Sequence, residues 1–284
     1  MKPFTTLVSA HELMPHLDDP HWRIYDCRHD LANPLHGRNA YARGHIPGAW
    51  FLHLDEDLSG PKNGHNGRHP LPSPGWFAAR LAARGMVDGA QVVAYDDSGG
   101  TFAVRLWWML RWLGHERVAV LDGGIQAWKR AGGVLNADPP QEAPGHFSVR
   151  PHAAMRVDIE QVQANLGNPG ILLIDARAPQ RFAGEVETLD PVAGHIPGAV
   201  NRFYQDNLDD LQCFRPGEEL RTEFERMLHG RAPNHVVHSC GSGVTACHNL
   251  LAMELAGLRG SRLYAGSWSE WCSDASRPVA TGTN

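Results

Sequence analysis

The sequence has no apolar run long enough to cross a bilayer, although 42% of its 284 residues are hydrophobic. A membrane-spanning helix needs about 20 consecutive apolar residues, so we expect no association with a membrane. The first residues, Met1–Thr6, lack the apolar segment of a signal peptide. There is also no run of lysine and arginine, and a formal charge of −5 gives no attraction for nucleic acid. These absences leave a globular protein with a sizeable core.

Cysteine is scarce, and its spacing matches neither a disulfide framework nor a zinc site. The five cysteines are Cys27, Cys213, Cys240, Cys247 and Cys272. They are odd in number and widely spread, with no Cys-x-x-Cys pair, which favours a reducing compartment and a cytoplasmic location. The 17 histidines include no His-Glu-x-x-His pattern. We therefore expect neither a metal nor another cofactor.

The clearest pattern that is present is an internal repeat. The motif Gly-His-Ile-Pro-Gly-Ala occurs at residues 44–49 and again at 194–199. Each copy follows an apolar strand that ends in an acid, Asp26 or Asp175, and each precedes a second strand and an apolar helix. Strands that alternate with helices predict an α/β fold, here with two domains built on mainly parallel sheets.

The repeat divides the chain into two domains of ordinary size. The first predicted domain is residues 1–138 and the second is residues 153–284. Residues 139–152 form the predicted linker, which contains several prolines that favour an extended connection.

The second copy carries a cysteine at a position suited to chemistry. Val236–Ser239 predicts a short strand and residues 244–256 predict a helix, so Cys240 lies in the loop between them. Free backbone N–H groups at a helix start favour an anion, and the thiolate is the nucleophilic form of cysteine. Gly241 and Gly243 allow several amides to turn toward the sulfur. The alternative is a buried, unreactive cysteine in an ordinary connection.

The first copy carries an acid at the equivalent place. Alignment of the two second strands sets Asp96 opposite Cys240, and a carboxylate cannot accept a sulfur atom. We therefore predict that the first copy is catalytically silent. His45 and His195 occupy the repeated turn in both copies, which favours a structural role for these histidines.

Three kinds of cysteine chemistry compete at this loop. A phosphatase needs an arginine six positions after the nucleophile, where this chain has Ala246. A protease needs a histidine base, and the nearby candidates, His238 and His248, lie on a buried strand and on the following helix. Persulfide chemistry needs only a thiolate and hydrogen-bond donors around the transferred sulfur, so it fits these residues best.

Residues 240–246 read Cys-Gly-Ser-Gly-Val-Thr-Ala, which resembles the active-site loop of the 3-mercaptopyruvate sulfurtransferases, a branch of the rhodanese superfamily. The two-domain layout is similar to that of tandem rhodaneses over nearly the whole chain. The resemblance implies two rhodanese-like domains with the active site in the cleft between them. It also implies that Cys240 carries the sulfur and that Gly241, Gly243, Val244 and Thr245 bind the substrate.

The resemblance implies a proton relay as well. Removing sulfur from 3-mercaptopyruvate leaves a pyruvate enolate, and Ser242 is placed to supply its proton. In this branch the serine pairs with a histidine and an aspartate, for which His69 and Asp55 are the matching residues here. Taken without the resemblance, His69 is a solvated loop histidine and Asp55 is a surface acid.

An arginine should hold the carboxylate of the donor, because its planar fork matches two oxygens. The resemblance indicates Arg181, which is followed by Phe182, whereas Arg177 is expected to pair with Asp175. The branch has a second arginine that this chain lacks at residues 187–191. Two arginines elsewhere are candidates to replace it, Arg68 and Arg202.

The predicted function is transfer of sulfur from 3-mercaptopyruvate to cyanide or to a thiol, such as a small thiol or a thioredoxin-like protein. The residues after Cys240 are the neutral Gly241 and Ser242, where the thiosulfate branch has arginine and lysine, so the loop itself offers no fixed cation. Two alternatives stay open: a thiosulfate:cyanide sulfurtransferase that uses the same site, and a non-catalytic persulfide carrier.

Overall fold

The computed structural model describes residues 2–141 and 144–283. Glu142 and Ala143, which belong to the predicted linker, lie outside the described residues. The chain forms two compact units. The first unit comprises Met1–Gly60, Pro72–His152 and Asp210–Phe214, and the second comprises Pro61–Leu71, Ala153–Asp209 and Arg215–Asn284. Two short segments therefore group with the unit opposite to the one that their place in the sequence suggests.

The first unit contains a five-stranded parallel sheet. Its strands are β1 (Leu7–Val8), β2 (Trp22–Asp26), β3 (Trp50–Phe51), β4 (Gln91–Tyr95) and β5 (Val118–Leu121). Their order across the sheet is β1-β5-β4-β2-β3. The central strand β4 is buried throughout, as expected of an apolar strand that is covered on both faces. The loop that begins at Asp96 thus starts at the middle of the carboxyl edge of this sheet.

Short helices connect these strands. They are α1 (Ala10–Leu13), α2 (His36–Arg43), α3 (Pro74–Ala82), α4 (Ala103–Trp112) and α5 (Gly124–Arg130), with a 3₁₀ turn at Met14–His16. α1 begins with a capping box in which Ser9 and Glu12 each satisfy a backbone N–H of the other. α4 is apolar on nearly all sides, and nine of its ten residues are buried. Trp128 of α5 belongs to a hydrophobic core cluster of this unit.

The second unit repeats this architecture. Its strands are β6 (Arg156–Val157), β7 (Leu172–Asp175), β8 (Val200–Asn201), β9 (Val236–Ser239) and β10 (Arg262–Tyr264). Their order is β6-β10-β9-β7-β8, with every pair parallel, so β9 takes the central place that β4 takes in the first unit. The predicted α/β fold with two mainly parallel sheets is confirmed.

The helices of the second unit are α6 (Ile159–Ala164), α7 (Pro179–Ala183), α8 (Gly217–Leu228), α9 (Ala246–Leu255) and α10 (Ser267–Trp271), with 3₁₀ turns at Ala153–Met155, Tyr204–Asn207 and Pro233–His235. Trp268 and Trp271 of α10 belong to the core of this unit. None of the helices within the described ranges combines the length and the apolar character that crossing a bilayer requires.

The repeated Gly-His-Ile-Pro-Gly turn has the same role in both units. His45 Nδ1 contacts the backbone oxygen of Tyr41 at 2.9 Å, and His195 Nδ1 contacts that of Phe182 at 2.8 Å. Each imidazole also stacks on the ring of that same residue. Because the contacts repeat in the unit without a cysteine loop, they are structural contacts of the turn.

Candidate active site

Cys240 lies directly after the central strand of the second sheet. β9 ends at Ser239 and α9 begins at Ala246, so residues 240–245 form the loop between them. Cys240 is only 2% exposed, and the backbone N–H of Gly243 donates to its Sγ at 3.2 Å. A sulfur atom that accepts a backbone N–H just before a helix lies where negative charge is stabilised. This geometry suits a thiolate nucleophile.

Gly243 is required by the shape of the loop. Its φ is +74°, and a Cβ added there would lie 2.2 Å from the backbone oxygen of Ala265. Of the next two residues, Val244 is 5% exposed and Thr245 is the N-cap of α9 without a side-chain capping bond, and their binding of substrate stays a prediction. The helix begins at Ala246, two residues later than its predicted start at Val244.

The start of α10 holds the cysteine loop in place. The hydroxyl of Ser267 accepts the backbone N–H of Cys240 at 3.1 Å. The N–H groups of Trp268 and Ser269 donate to the carbonyls of Cys240 and Gly241, at 3.0 and 2.9 Å. Sequence reasoning missed Ser267, which holds a φ of +56°.

The repeat contains the signal that would have identified Ser267. In the first unit, Gly124 also has a φ of +56°, and the next residue, Ile125, donates its N–H to the carbonyl of Asp96. Ile125 thus makes the bond to Asp96 that Trp268 makes to Cys240. A serine where the first copy has a glycine therefore marks a position with a special backbone conformation.

Asp96 fills the equivalent loop of the first unit with its own carboxylate. Its two oxygens accept backbone N–H groups at 2.8–2.9 Å, from Ser98, Gly100, Phe102 and Ala103. Burial raises the pKa of Asp96, while these four hydrogen bonds act to lower it. The loop architecture after the central strand is thus an anion cradle, and in this copy a side chain occupies it.

Ser242 and His69 are brought together. The hydroxyl oxygen of Ser242 lies 2.7 Å from Nδ1 of His69, and the two residues are 4% and 3% exposed. The segment that carries His69 belongs to the same compact unit as the cysteine loop. The alternative of a solvated loop histidine is wrong, because His69 is buried.

Asp55 belongs to the first unit, and its pairing with His69 stays a prediction. Its backbone N–H donates to Nδ1 of His53 at 3.1 Å. Potential metal-binding atoms of Asp55, His53 and His29 lie within 4.8 Å of one another. Both ring nitrogens of His53 already have partners, since Nε2 contacts the carbonyl oxygen of Pro34 at 3.0 Å. A metal ion at this group would have to displace one of those bonds.

Two guanidinium groups lie against the cysteine loop. A Cβ added to Gly241 would be 2.9 Å from Nη2 of Arg68 and 3.6 Å from Nη1 of Arg181. The loop carries no cationic side chain of its own, as expected from residues 240–245, and the cations beside it come from other segments of the chain. Arg68 and Arg181 are the two predicted arginines that the fold brings together at this place.

Two acids that sequence reasoning passed over pair with these arginines. Glu187 contacts Arg181 at 2.7 Å, and Asp190 contacts Arg181 at 3.2 Å and Arg68 at 2.5 Å. In the sequence, residues 187–191 were considered only because they lack the second arginine of the branch. Two acids occur in this segment where the resemblance implies a cation, and that difference could have identified Glu187 and Asp190 as residues of the site.

The comparisons with known proteins agree with this geometry. Residues 9–131 and 158–274 each match the rhodanese-like domain family. The chain belongs to the rhodanese family.

Three relatives illustrate the similarity of this rhodanese-family chain to known proteins. It is 50% identical to the Pseudomonas aeruginosa protein named "Probable 3-mercaptopyruvate sulfurtransferase", over 97% of this chain and 98% of the other. It is 34% identical to the Bos taurus thiosulfate sulfurtransferase, over 89% and 85% of the two chains. The crystal structure of the 3-mercaptopyruvate sulfotransferase SseA from Escherichia coli superposes with a TM-score of 0.81 at 32% identity, covering 94% of this chain and all of the other.

The remaining predicted arginines have partners elsewhere in this rhodanese-family chain. Arg177 pairs with Asp175 at 2.7 Å and donates to the carbonyl of Gly194 at 2.8 Å, which confirms its structural role. Arg202 pairs with Glu223 at 2.7 Å and with Asp206 at 3.0 Å.

The polar side chains of the buried strand and helix around Cys240 do not form a base for the thiol. Burial lowers the pKa of His238 to about 3, and its Nε2 contacts the sulfur of Met253 at 3.1 Å. His248 Nδ1 contacts the side-chain amide of Asn207 at 3.1 Å. Cys247 is fully buried on α9, where its thiol donates to the carbonyl of Gly243, so it is a packed helix residue.

Proposed function

We propose that this chain is a sulfurtransferase that takes a sulfur atom from 3-mercaptopyruvate. The observation that carries the proposal is the 2.7 Å contact between the hydroxyl oxygen of Ser242 and Nδ1 of His69. Ser242 lies two residues after Cys240 in the same loop. A buried hydroxyl backed by a histidine supplies a proton, which the departing pyruvate enolate requires and a departing sulfite does not. The relatives that bear the name of this activity support the same donor.

The reaction begins with attack of the Cys240 thiolate on the sulfur of 3-mercaptopyruvate. A sulfur–sulfur bond forms and the carbon–sulfur bond breaks, so its electron pair passes to carbon as the pyruvate enolate. Ser242 donates its proton to that carbon, pyruvate leaves, and His69 returns a proton to the serine. The Gly243 amide and the start of α9 stabilise charge on the sulfur atoms.

Arg68 and Arg181 are proposed to hold the carboxylate of the donor. Both guanidinium groups border Gly241, the residue directly after the nucleophile. A planar guanidinium donates two parallel hydrogen bonds to a carboxylate, which fixes the orientation of the donor as well as its charge.

The net charge around the loop disfavours a thiosulfate dianion. The positive charges of Arg68 and Arg181 are balanced by two carboxylates, Glu187 and Asp190. With both acids ionised, the two arginines and two acids have no net charge. The second negative charge of thiosulfate therefore gains no net attraction from this cluster.

A thiol or cyanide then removes the outer sulfur from the Cys240 persulfide. The acceptor thiolate attacks that sulfur, and Cys240 leaves as a thiolate ready for another cycle. We propose a small thiol or a thioredoxin-like protein as the acceptor and the cytoplasm as the location. The odd number and wide spacing of the five cysteines support a reducing compartment.

The decisive experiment compares initial rates on 3-mercaptopyruvate and on thiosulfate at equal concentrations with a common acceptor. We expect 3-mercaptopyruvate to be the faster donor. A faster rate on thiosulfate would identify the thiosulfate branch of the family. A protein that accepts sulfur from neither donor would instead be a persulfide carrier.

A further inference from the structure

Asp190 bridges the two arginines in the way that a bound carboxylate would. Its Oδ1 contacts Nη1 of Arg68 at 2.5 Å, and its Oδ2 contacts Nη2 of Arg181 at 3.2 Å. Its side chain is only 4% exposed, and both guanidinium groups border Gly241. One carboxylate shared by two guanidiniums beside the nucleophile is the arrangement expected for the carboxylate of the donor itself.

Glu187, the other acid of the cluster, is held more firmly than Asp190. It makes three contacts of 2.7–3.2 Å to Nε and Nη2 of Arg181, and it accepts the backbone N–H groups of Leu189 and Asp190. Burial acts against ionisation of Glu187, yet Arg181 and these amides lower its pKa. For Asp190, burial and the neighbouring Glu187 raise the pKa despite both arginines. The ionised form of Asp190 is therefore the less stabilised of the two.

We propose that Asp190 occupies the position of the donor carboxylate while the site is empty, and that the donor displaces it on binding. This inference rests on the proposed function, because it takes the donor to be a small carboxylate held by Arg68 and Arg181. Glu187 keeps Arg181 in position during the exchange, since its contacts to that guanidinium do not depend on Asp190.

Two consequences follow for specificity. A donor must offer an anionic group with two acceptor oxygens, such as the carboxylate of 3-mercaptopyruvate, because such a group restores both contacts that Asp190 gives up. The apparent affinity for the donor is also reduced by the fraction of time for which Asp190 fills the site. Asp190 therefore sets the KM of the reaction and leaves the chemical step unchanged.

The test uses the full chain, its Asp190→Asn and Asp190→Ala variants, and Glu185→Gln as a matched control. Glu185 is an exposed acid five residues before Asp190, so its variant changes the charge of the same segment by the same amount. The measurements are kcat and KM on 3-mercaptopyruvate, and calorimetric binding of pyruvate, a carboxylate without a transferable sulfur.

We expect both Asp190 variants to lower the KM and the Kd for pyruvate by about five- to tenfold, with kcat within about twofold of the parent. Glu185→Gln should leave all three constants unchanged. If Asp190 only positions the arginines, the KM and the Kd for pyruvate will rise in the Asp190 variants, and unchanged values also contradict the inference. Failure of the proposed function appears differently, as absence of turnover in the parent protein, and pyruvate binding still tests Asp190 in that case.

Discussion

At the scale of single residues, the proposed reaction divides its work between Cys240 and Ser242. In this proposal Cys240 receives the sulfur beside the backbone N–H of Gly243, and Ser242, which faces the imidazole of His69, supplies the proton. Neither group needs a base adjacent to the thiol, which agrees with the burial of His238 and His248 in other contacts. In the proposed reaction the nucleophile thus depends on backbone donors, and the leaving group depends on a side-chain hydroxyl.

Ser242→Ala should depress turnover of 3-mercaptopyruvate far more than turnover of thiosulfate. Loss of a positioned proton donor commonly costs about 10²-fold or more, and only the enolate leaving group needs the proton. Steady-state rates on both donors provide the measurement. Ser276→Ala, which removes an exposed hydroxyl from the same unit, is the control and should change neither rate. An equal loss on both donors from Ser242→Ala would contradict the proton relay.

At the scale of elements, the site is one connection between a strand and a helix, with α10 as its support. The equivalent connection in the first unit has the same design but encloses the carboxylate of Asp96. By this comparison, a loop without charged side chains can hold negative charge because its peptide N–H groups supply the positive end of the interaction. The prediction that the first copy is catalytically silent rests on the aspartate that it carries where the second copy has Cys240.

Gly243→Ala tests how strictly this connection is shaped. The substitution forces an alanine to a φ of +74° and brings its Cβ to 2.2 Å from the Ala265 carbonyl. Gly230 is the matched control, because its φ is +80° with no atom within 4 Å of an added Cβ. We expect Gly230→Ala to lower the free energy of unfolding by roughly 1–2 kcal/mol, and Gly243→Ala to lower it by about 3 kcal/mol or more. Urea denaturation measures the free energy of unfolding of both variants. An equal decrease in the two variants would show that the close contact of the added Cβ with the Ala265 carbonyl does not destabilise the protein.

At the scale of the whole molecule, the repeat made much of the fold predictable. An apolar strand that ends in an acid, followed by the Gly-His-Ile-Pro-Gly turn, occurs in both halves, and both halves fold as parallel five-stranded sheets. Cys240 was predictable as well, because a strand, a glycine loop and a helix in succession place it at the carboxyl edge of the sheet. These features are local in sequence, so local patterns were sufficient to identify them.

The charged part of the site was harder to predict because its members are distant in the sequence. Arg68 meets Asp190 only because residues 61–71 pack with the second unit, a grouping that no local pattern indicates. Glu187 and Asp190 were also not predicted, because residues 187–191 were considered only for the arginine that they lack. The cysteine loop is continuous in the sequence, whereas the neutral cluster of arginines and acids beside it depends on tertiary contacts.

The most direct test of the account is to locate the transferred sulfur. The protein is incubated with 3-mercaptopyruvate in the absence of acceptor, and peptide mass spectrometry then identifies the residue that carries the added sulfur atom. We predict one added sulfur, on the peptide that contains Cys240, and none on the peptides of the other cysteines. Cys240→Ser should lose both the added sulfur and turnover, while Cys247→Ser, which alters a neighbouring buried thiol, should retain both. Turnover by Cys240→Ser, or sulfur found on a different cysteine, would contradict the central claim.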